Sequence, residues 1–249
     1  IEIVETELGG TIEELFAGFE REPLAAASIG QVHAATLHDG RKVVVKVQKP
    51  GVAETVREDL AILADLARRV TGGRLSSFYD LEALVADFSW TLRSELDYIR
   101  EGRNADRLRE ILAAQPMLVV PQVTWELTTE RVLVMEHMEG VRLVAAAELP
   151  AGVDLRALAR AGGEGMLTQV FEAGFFHADP HPGNFLVLGD GRLAVLDFGM
   201  VGHLDDELKL RLLQLLDAAV RQDAADATDA LESLGVARAG ASRDAIRRD

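Results

Sequence analysis

The segment His177-Ala178-Asp179-Pro180-His181-Pro182-Gly183-Asn184, followed by Asp197-Phe198-Gly199, constrains this chain more than any other. Pro180 and Pro182 fix two φ angles and block a helix from running through, so the segment is a stiffened loop. Two short apolar runs, 185–188 and 193–196, flank Gly189-Asp190-Gly191 and signal a tight hairpin. A hairpin returns its second strand to where the first began. Asp197 therefore comes back to the mouth of the loop that carries Asp179 and Asn184. Any fold this chain adopts must gather two carboxylates and an amide at one point.

The rest of the chain supplies a frame for that point. Residues 5–21 carry apolar side chains near helical spacing, with Pro23 as a stop. Strands are expected over 31–37 and 42–47, joined by Asp39-Gly40, and helices over 54–70 and 80–114 about a Thr71-Gly72-Gly73 break. Residues 118–125 and 131–135 read as two strands joined by a polar turn, 155–173 as helix, and the stretch from Asp205 onward as helical with a charged tail. Strands and helices are segregated, which indicates an α+β fold and not an alternating parallel sheet. With 249 residues the chain suits a two-lobed globule.

Composition removes several function classes. The 41 acidic against 26 basic residues leave a net charge of −15, the wrong sign for tracking nucleic acid. There is no cysteine, which excludes disulfide scaffolds, zinc-thiolate sites, Fe–S clusters and thiol nucleophiles. No apolar run approaches the ~20 residues of a membrane span, so no transmembrane segment is expected in this chain. The start Ile1-Glu2-Ile3-Val4-Glu5 has no signal-peptide pattern and no Met, and the chain is expected to be a fragment of a longer protein.

The loop and hairpin residues match a phosphoryl-transfer pattern: His-x-Asp, Asn five positions after the Asp, then Asp-Phe-Gly. In that pattern one carboxylate must face the attacking hydroxyl, while an amide and a second carboxylate converge on a divalent metal beside the phosphates. An isolated Asp-Phe-Gly is ordinarily a turn; the upstream loop is what turns it into a metal site. His181 lacks companion ligands and is read as structuring the loop, and His177 as bracing it. Lys46, within Val43-Val44-Val45-Lys46-Val47, is costly in an apolar strand unless its ammonium finds an anion. Alone it could be a solubility lysine on an edge strand; beside the other motifs it is a phosphate ligand. Its carboxylate partner should come from the helix containing Ser94-Glu95-Leu96-Asp97-Tyr98-Ile99-Arg100-Glu101. In a continuous helix Glu95 and Asp97 lie about 200° apart and Glu95 and Glu101 about 240°, so spacing does not choose among them. A glycine-rich phosphate cover is absent. Its place holds Leu24-Ala25-Ala26-Ala27-Ser28-Ile29-Gly30-Gln31-Val32, whose alanines resist φ > 0 and make a stiffer loop, with the Ser28 hydroxyl and backbone N–H groups as donors.

These strings, in this order, together with Glu-Leu-Asp-Tyr-x-x-Glu and Phe-Phe-His-Ala-Asp-Pro-His-Pro-Gly-Asn, resemble the UbiB (AarF) family of atypical kinases over roughly residues 5–235. The resemblance implies a protein-kinase-like fold: a small β-rich N-lobe with helical insertions over 1–139 and a mostly helical C-lobe over 140–249. It implies ATP and Mg²⁺ as cofactors, with residues 24–32 and Lys46 on the nucleotide, Glu95 as the lysine's helix partner, Asp179 as catalytic base, and Asn184 and Asp197 on metal. Glu101 matches a further acidic position. The implied activity is that of a kinase or ATPase supporting isoprenoid-quinone (ubiquinone) biosynthesis or lipid homeostasis. Its partners would be quinone-biosynthesis enzymes or lipid precursors, and its place the cytoplasm, peripheral to the inner membrane. The family's Lys-x-Gly-Gln segment and the C-terminal membrane helices of some members are not found in these residues. A Ser/Thr protein kinase, a small-molecule phosphotransferase and a nucleotide-sensing pseudokinase scaffold are the alternatives.

Overall fold

The computed structural model describes residues 1–26, 29–70, 81–145, 148–149 and 152–235. Ala27, Ser28, the Thr71-Gly72-Gly73 break and the charged tail lie outside the described residues.

The single helix expected over 5–21 is not formed. Gly9 takes a left-handed φ of 72° and ends α1 (Glu2–Leu8), and Thr11 and Glu14 form a reciprocal capping box that starts α2 (Ile12–Leu15). An antiparallel sheet follows, with β1 (Gly18–Phe19), β2 (Ala25–Ala26), β3 (Gly30–Thr36) and β4 (Lys42–Gln48). β1 and β2 both pair with β3, β3 pairs with β4 across the Asp39-Gly40 turn, and β4 pairs with β6 (Val132–Glu136). The two-residue period of β4 sends Val43, Val45 and Val47 to one face, where they pack with Val4, Ile12 and Phe16 of α1 and α2. Val44 and Lys46 face the other way, toward the larger core.

That larger core is built around α5 (Tyr98–Ile111), which follows the α3 (Val52–Val70) and α4 (Leu81–Glu95) pair. The single helix expected over 80–114 is broken at Leu96. Asp97 leaves helical geometry and caps α5 by accepting the Arg100 backbone N–H at 3.0 Å. The two strands expected over 118–125 and 131–135 also part company. The second is β6, but of the first only β5 (Leu118–Val119) is a strand, and it runs parallel to β10 (Leu193–Val195) in a second sheet. Pro121 removes a ladder donor and residues 125–127 coil into a 3₁₀ turn, so contact with β6 shrinks to a Val123–Met135 bridge.

The second sheet runs β5-β10-β9-β7, with β9 (Phe185–Leu188) and β10 forming the expected hairpin and β7 (Gly140–Arg142) on the edge. α6 (Leu155–Leu167) passes into a π-helical turn, 168–173, that Gly174 closes at φ 61°. β8 (Phe175–His177) pairs with β11 (Val201–His203), and α7 (Asp206–Arg221) and α8 (Ala224–Ser233) complete a sheet-rich first part and a helical second part.

Candidate active site

Strand alternation aims Lys46 at α5. Its Nζ donates to both carboxylate oxygens of Glu101, at 2.7 and 2.8 Å, and lies 5.1 Å from the centre of the Tyr98 ring. The Lys46 side chain is 14% exposed and that of Glu101 only 2%. Burial works against the charge on Lys46, but the Glu101 and Asp197 carboxylates outweigh it, and the ammonium is held above the ordinary lysine range.

The lysine's partner is therefore Glu101 and not Glu95, a correction to the assignment carried by the resemblance. Its cause is the break at Leu96-Asp97. Glu95 ends α4 while Glu101 sits in the first turn of α5, so the two no longer share a helical phase. Both nevertheless line the same cleft. Glu95 is half-buried, and its carboxyl is pushed above the usual range first by desolvation and then by the negative charge of Asp197.

The loop arrives at this cleft through a chain of braces. Gln169, buried in the π-helical turn, donates to the Gly165 carbonyl and accepts the His177 backbone N–H. His177 is buried, and its Nδ1 accepts the Asp179 N–H at 3.1 Å, which leaves Nε2 to donate toward the Leu196 carbonyl. His181 Nδ1 accepts the Gly183 N–H and caps the 3₁₀ turn Pro182–Asn184. Each histidine thus spends its Nδ1 on a backbone N–H of the loop, and His177 also lines the cleft. Asn184 Nδ2 donates to Asp179 Oδ2 and to the Asp179 carbonyl, both at 3.1 Å.

Asp197 has φ 60°, a left-handed conformation that aspartate tolerates better than most side chains. Its Oδ1 accepts the Gly199 N–H at 3.1 Å. Lys46, Glu95, Glu101, Asp179 and Asp197 surround a cleft of about 200 Å³, with Ile29 and Met200 at its rim. Asp179 and Asp197 are exposed to solvent there. Among the described residues no three carboxylates or histidines converge tightly enough to hold an ion by themselves. The oxygen-only donors Asn184 and Asp197 suit a hard cation such as Mg²⁺ that takes its remaining ligands from phosphate and water.

Of the expected nucleotide loop, Ala25 and Ala26 are strand residues paired with Val32 and Gln31, and Leu24 donates its N–H to Val32 at 2.8 Å. Neither alanine has a positive φ. Gly30 is required by close approach: a Cβ there would lie 2.5 Å from the Tyr98 hydroxyl and 2.8 Å from the Val47 carbonyl. Tyr98 is wholly buried, and the sequence pattern marked it only as part of a motif.

Residues 1–231 match the ABC1 atypical kinase-like domain. The chain is 41% identical over 231 residues to a probable protein kinase UbiB of Marinobacter nauticus, an alignment covering 89% of this chain and 42% of that one. It is 38% identical over 254 residues to the uncharacterized protein sll0095 of Synechocystis sp., covering all of this chain and 45% of the relative. The chain thus spans less than half the length of these curated relatives. Among solved structures, Rv3197 of Mycobacterium tuberculosis, in complex with erythromycin, is similar with a TM-score of 0.71 and 30% identity over 93% of this chain and 58% of that one.

Proposed function

This chain belongs to the ABC1 atypical kinase-like family, and we propose that it binds ATP with Mg²⁺ in the cleft between Lys46 and Asp197 as a UbiB-type kinase or ATPase. The observation that carries the reading is the buried Lys46–Glu101 pair at the head of a cleft whose other walls hold Asp179 and Asp197. Glu101 keeps the ammonium charged and aimed, so Lys46 meets the α- and β-phosphates without rearrangement. Residues 24–32 cover the nucleotide, with Ala25 and Ala26 paired to β3 in place of an open glycine loop. Asn184 fixes the rotamer of Asp179, whose carboxylate takes the proton of an attacking water or hydroxyl. Asn184 and Asp197 hold the cation, which when bound neutralises phosphate charge. Positioning and electrostatics supply most of the rate.

By likeness to the UbiB-named relatives, the process served is isoprenoid-quinone biosynthesis or lipid homeostasis. Biosynthetic enzymes or lipid precursors would be the partners, at the cytoplasmic side of the inner membrane. Among the described residues no helix is long and apolar enough to cross a membrane. We take the lobe boundary at residues 139 and 140, between β6 and β7, with β5 reaching across it to pair with β10.

Incubation with γ-labelled ATP tests the reading. Release of free phosphate identifies an ATPase, and label on protein or metabolite identifies transfer. Asp179→Asn should keep nucleotide binding and lose turnover by about 10²–10⁴-fold. A second reading, nucleotide sensing without turnover, is favoured by the strand pairing of Ala25 and Ala26, and binding with no labelled product would establish it.

A further inference from the structure

The geometry points to Asn104 as a positioning residue that, with Glu101, clamps the peptide groups of Phe198 and thereby sets the orientation of Asp197. This inference rests on the reading of Asp197 as a metal-binding carboxylate. Glu101 and Asn104 lie one turn apart on the same face of α5. Asn104 Nδ2 donates to the Phe198 carbonyl at 2.9 Å in a buried bond, and Glu101 Oε1 accepts the Phe198 N–H at 3.4 Å. Because a carbonyl only accepts, the amide nitrogen of Asn104 must face it. The Phe198 ring is fully buried, with the His177 ring edge-on at 6.2 Å.

On the other side of Asp197, Leu196 donates its N–H to the Asn184 carbonyl at 2.7 Å, and its own carbonyl faces His177 Nε2. The residues on both sides of Asp197 are thus pinned, one to the loop and one to α5. The left-handed turn at Asp197 spans the two anchors and presents the carboxylate to the cleft. One helical turn therefore carries both the partner of Lys46 and the anchor of Asp197. An outward shift of α5 would release the ammonium and misdirect the carboxylate together.

Amide hydrogen exchange in the ligand-free chain reads the clamp directly. In the wild type, the Phe198 and Gly199 amides should exchange about a hundredfold slower than an open loop. Asn104→Leu should speed both by about tenfold while leaving the β3 and β4 amides unchanged, as loss of one buried bond implies. The Mg²⁺ concentration needed for half of the ATP-induced thermal shift should rise by a similar factor, with the small shift seen without metal unaltered. Asn104→Asp, equal in size but turning an acceptor toward the carbonyl, should behave like Asn104→Leu. The proposal is overturned if Asn104→Leu leaves exchange and the metal requirement as in the wild type, if Asn104→Asp matches the wild type, or if metal-free and metal-dependent shifts fall equally. Should the variants not fold, wild-type exchange decides, and open-loop rates at Phe198 and Gly199 reject the clamp. A wild type with no ATP shift at all refutes the nucleotide reading, while the exchange pattern still judges the clamp.

Discussion

Replacing Glu101 by Gln keeps its shape and an acceptor but leaves the Lys46 ammonium without its charged partner. Breaking a buried ion pair costs about 3–5 kcal/mol because one charge stays buried and uncompensated. Here Lys46 is 14% exposed and also feels Asp197, so the lower end, about 3 kcal/mol, applies. For a chain of this size that lowers Tm by about 6–12 °C. Glu95→Gln, in contrast, removes a carboxylate that its surroundings already disfavour, and its Tm should equal or exceed that of the wild type. Replacing both members of the pair, Lys46→Met with Glu101→Leu, should recover much of the loss, since an apolar pair needs no compensation. Scanning calorimetry on these chains and on the single variants Lys46→Met and Glu101→Leu separates these cases. Equal losses for Glu95→Gln and Glu101→Gln, or strictly additive losses in the double variant, would refute the pairing.

The carboxyl of Glu95 also makes a pH prediction. Its pKa is raised above the ordinary 4.5, so the folded chain binds that proton more tightly than the unfolded chain does. Its stabilising contribution is full below 4.5 and lost as pH rises through the raised value. The Tm of Glu95→Gln should therefore gain on the wild type as pH climbs above 4.5 and converge below it; a gap that widens toward acid would contradict this. Gly30→Ala should cost about 1–3 kcal/mol in urea unfolding, because its Cβ meets Tyr98 and a backbone carbonyl. Adding Tyr98→Phe should restore part of that, the hydroxyl being one of the two obstacles, and a neutral Gly30→Ala would show that the start of β3 does not approach α5 so closely.

Much of the cleft was legible in local pattern. The β3–β4 and β9–β10 hairpins follow from turn residues between apolar runs, and the two prolines give the loop. Asp179, Asp197 and Lys46 do line one cleft, and Asn184 is bonded to Asp179 beside it. What escaped depends on where helical phase is reset. Asp97 could have been read as a cap, because a capping aspartate followed by a fresh apolar-and-charged turn is a start signal. Had it been, the 240° separation of Glu95 and Glu101 would have lost its meaning and Glu101 would have become available. The parallel pairing of β5 with β10 escaped for another reason. It joins residues more than seventy positions apart through two-residue stretches too short to show a period. Asn104 acts through one buried contact that leaves no spacing signature, and the motif containing Tyr98 does not show that its ring packs against Gly30 and Lys46.

The most direct test of the shared cleft is calorimetric titration of ATP, with and without Mg²⁺, into the wild type, Lys46→Met and Asp197→Ala. The wild type should bind more tightly with Mg²⁺ than without it. Asp197→Ala should lose that metal-dependent gain and retain the metal-free affinity, whereas Lys46→Met should weaken binding under both conditions. If both variants bind ATP as the wild type does, with the same response to Mg²⁺, the two side chains do not grip one ligand and the account fails.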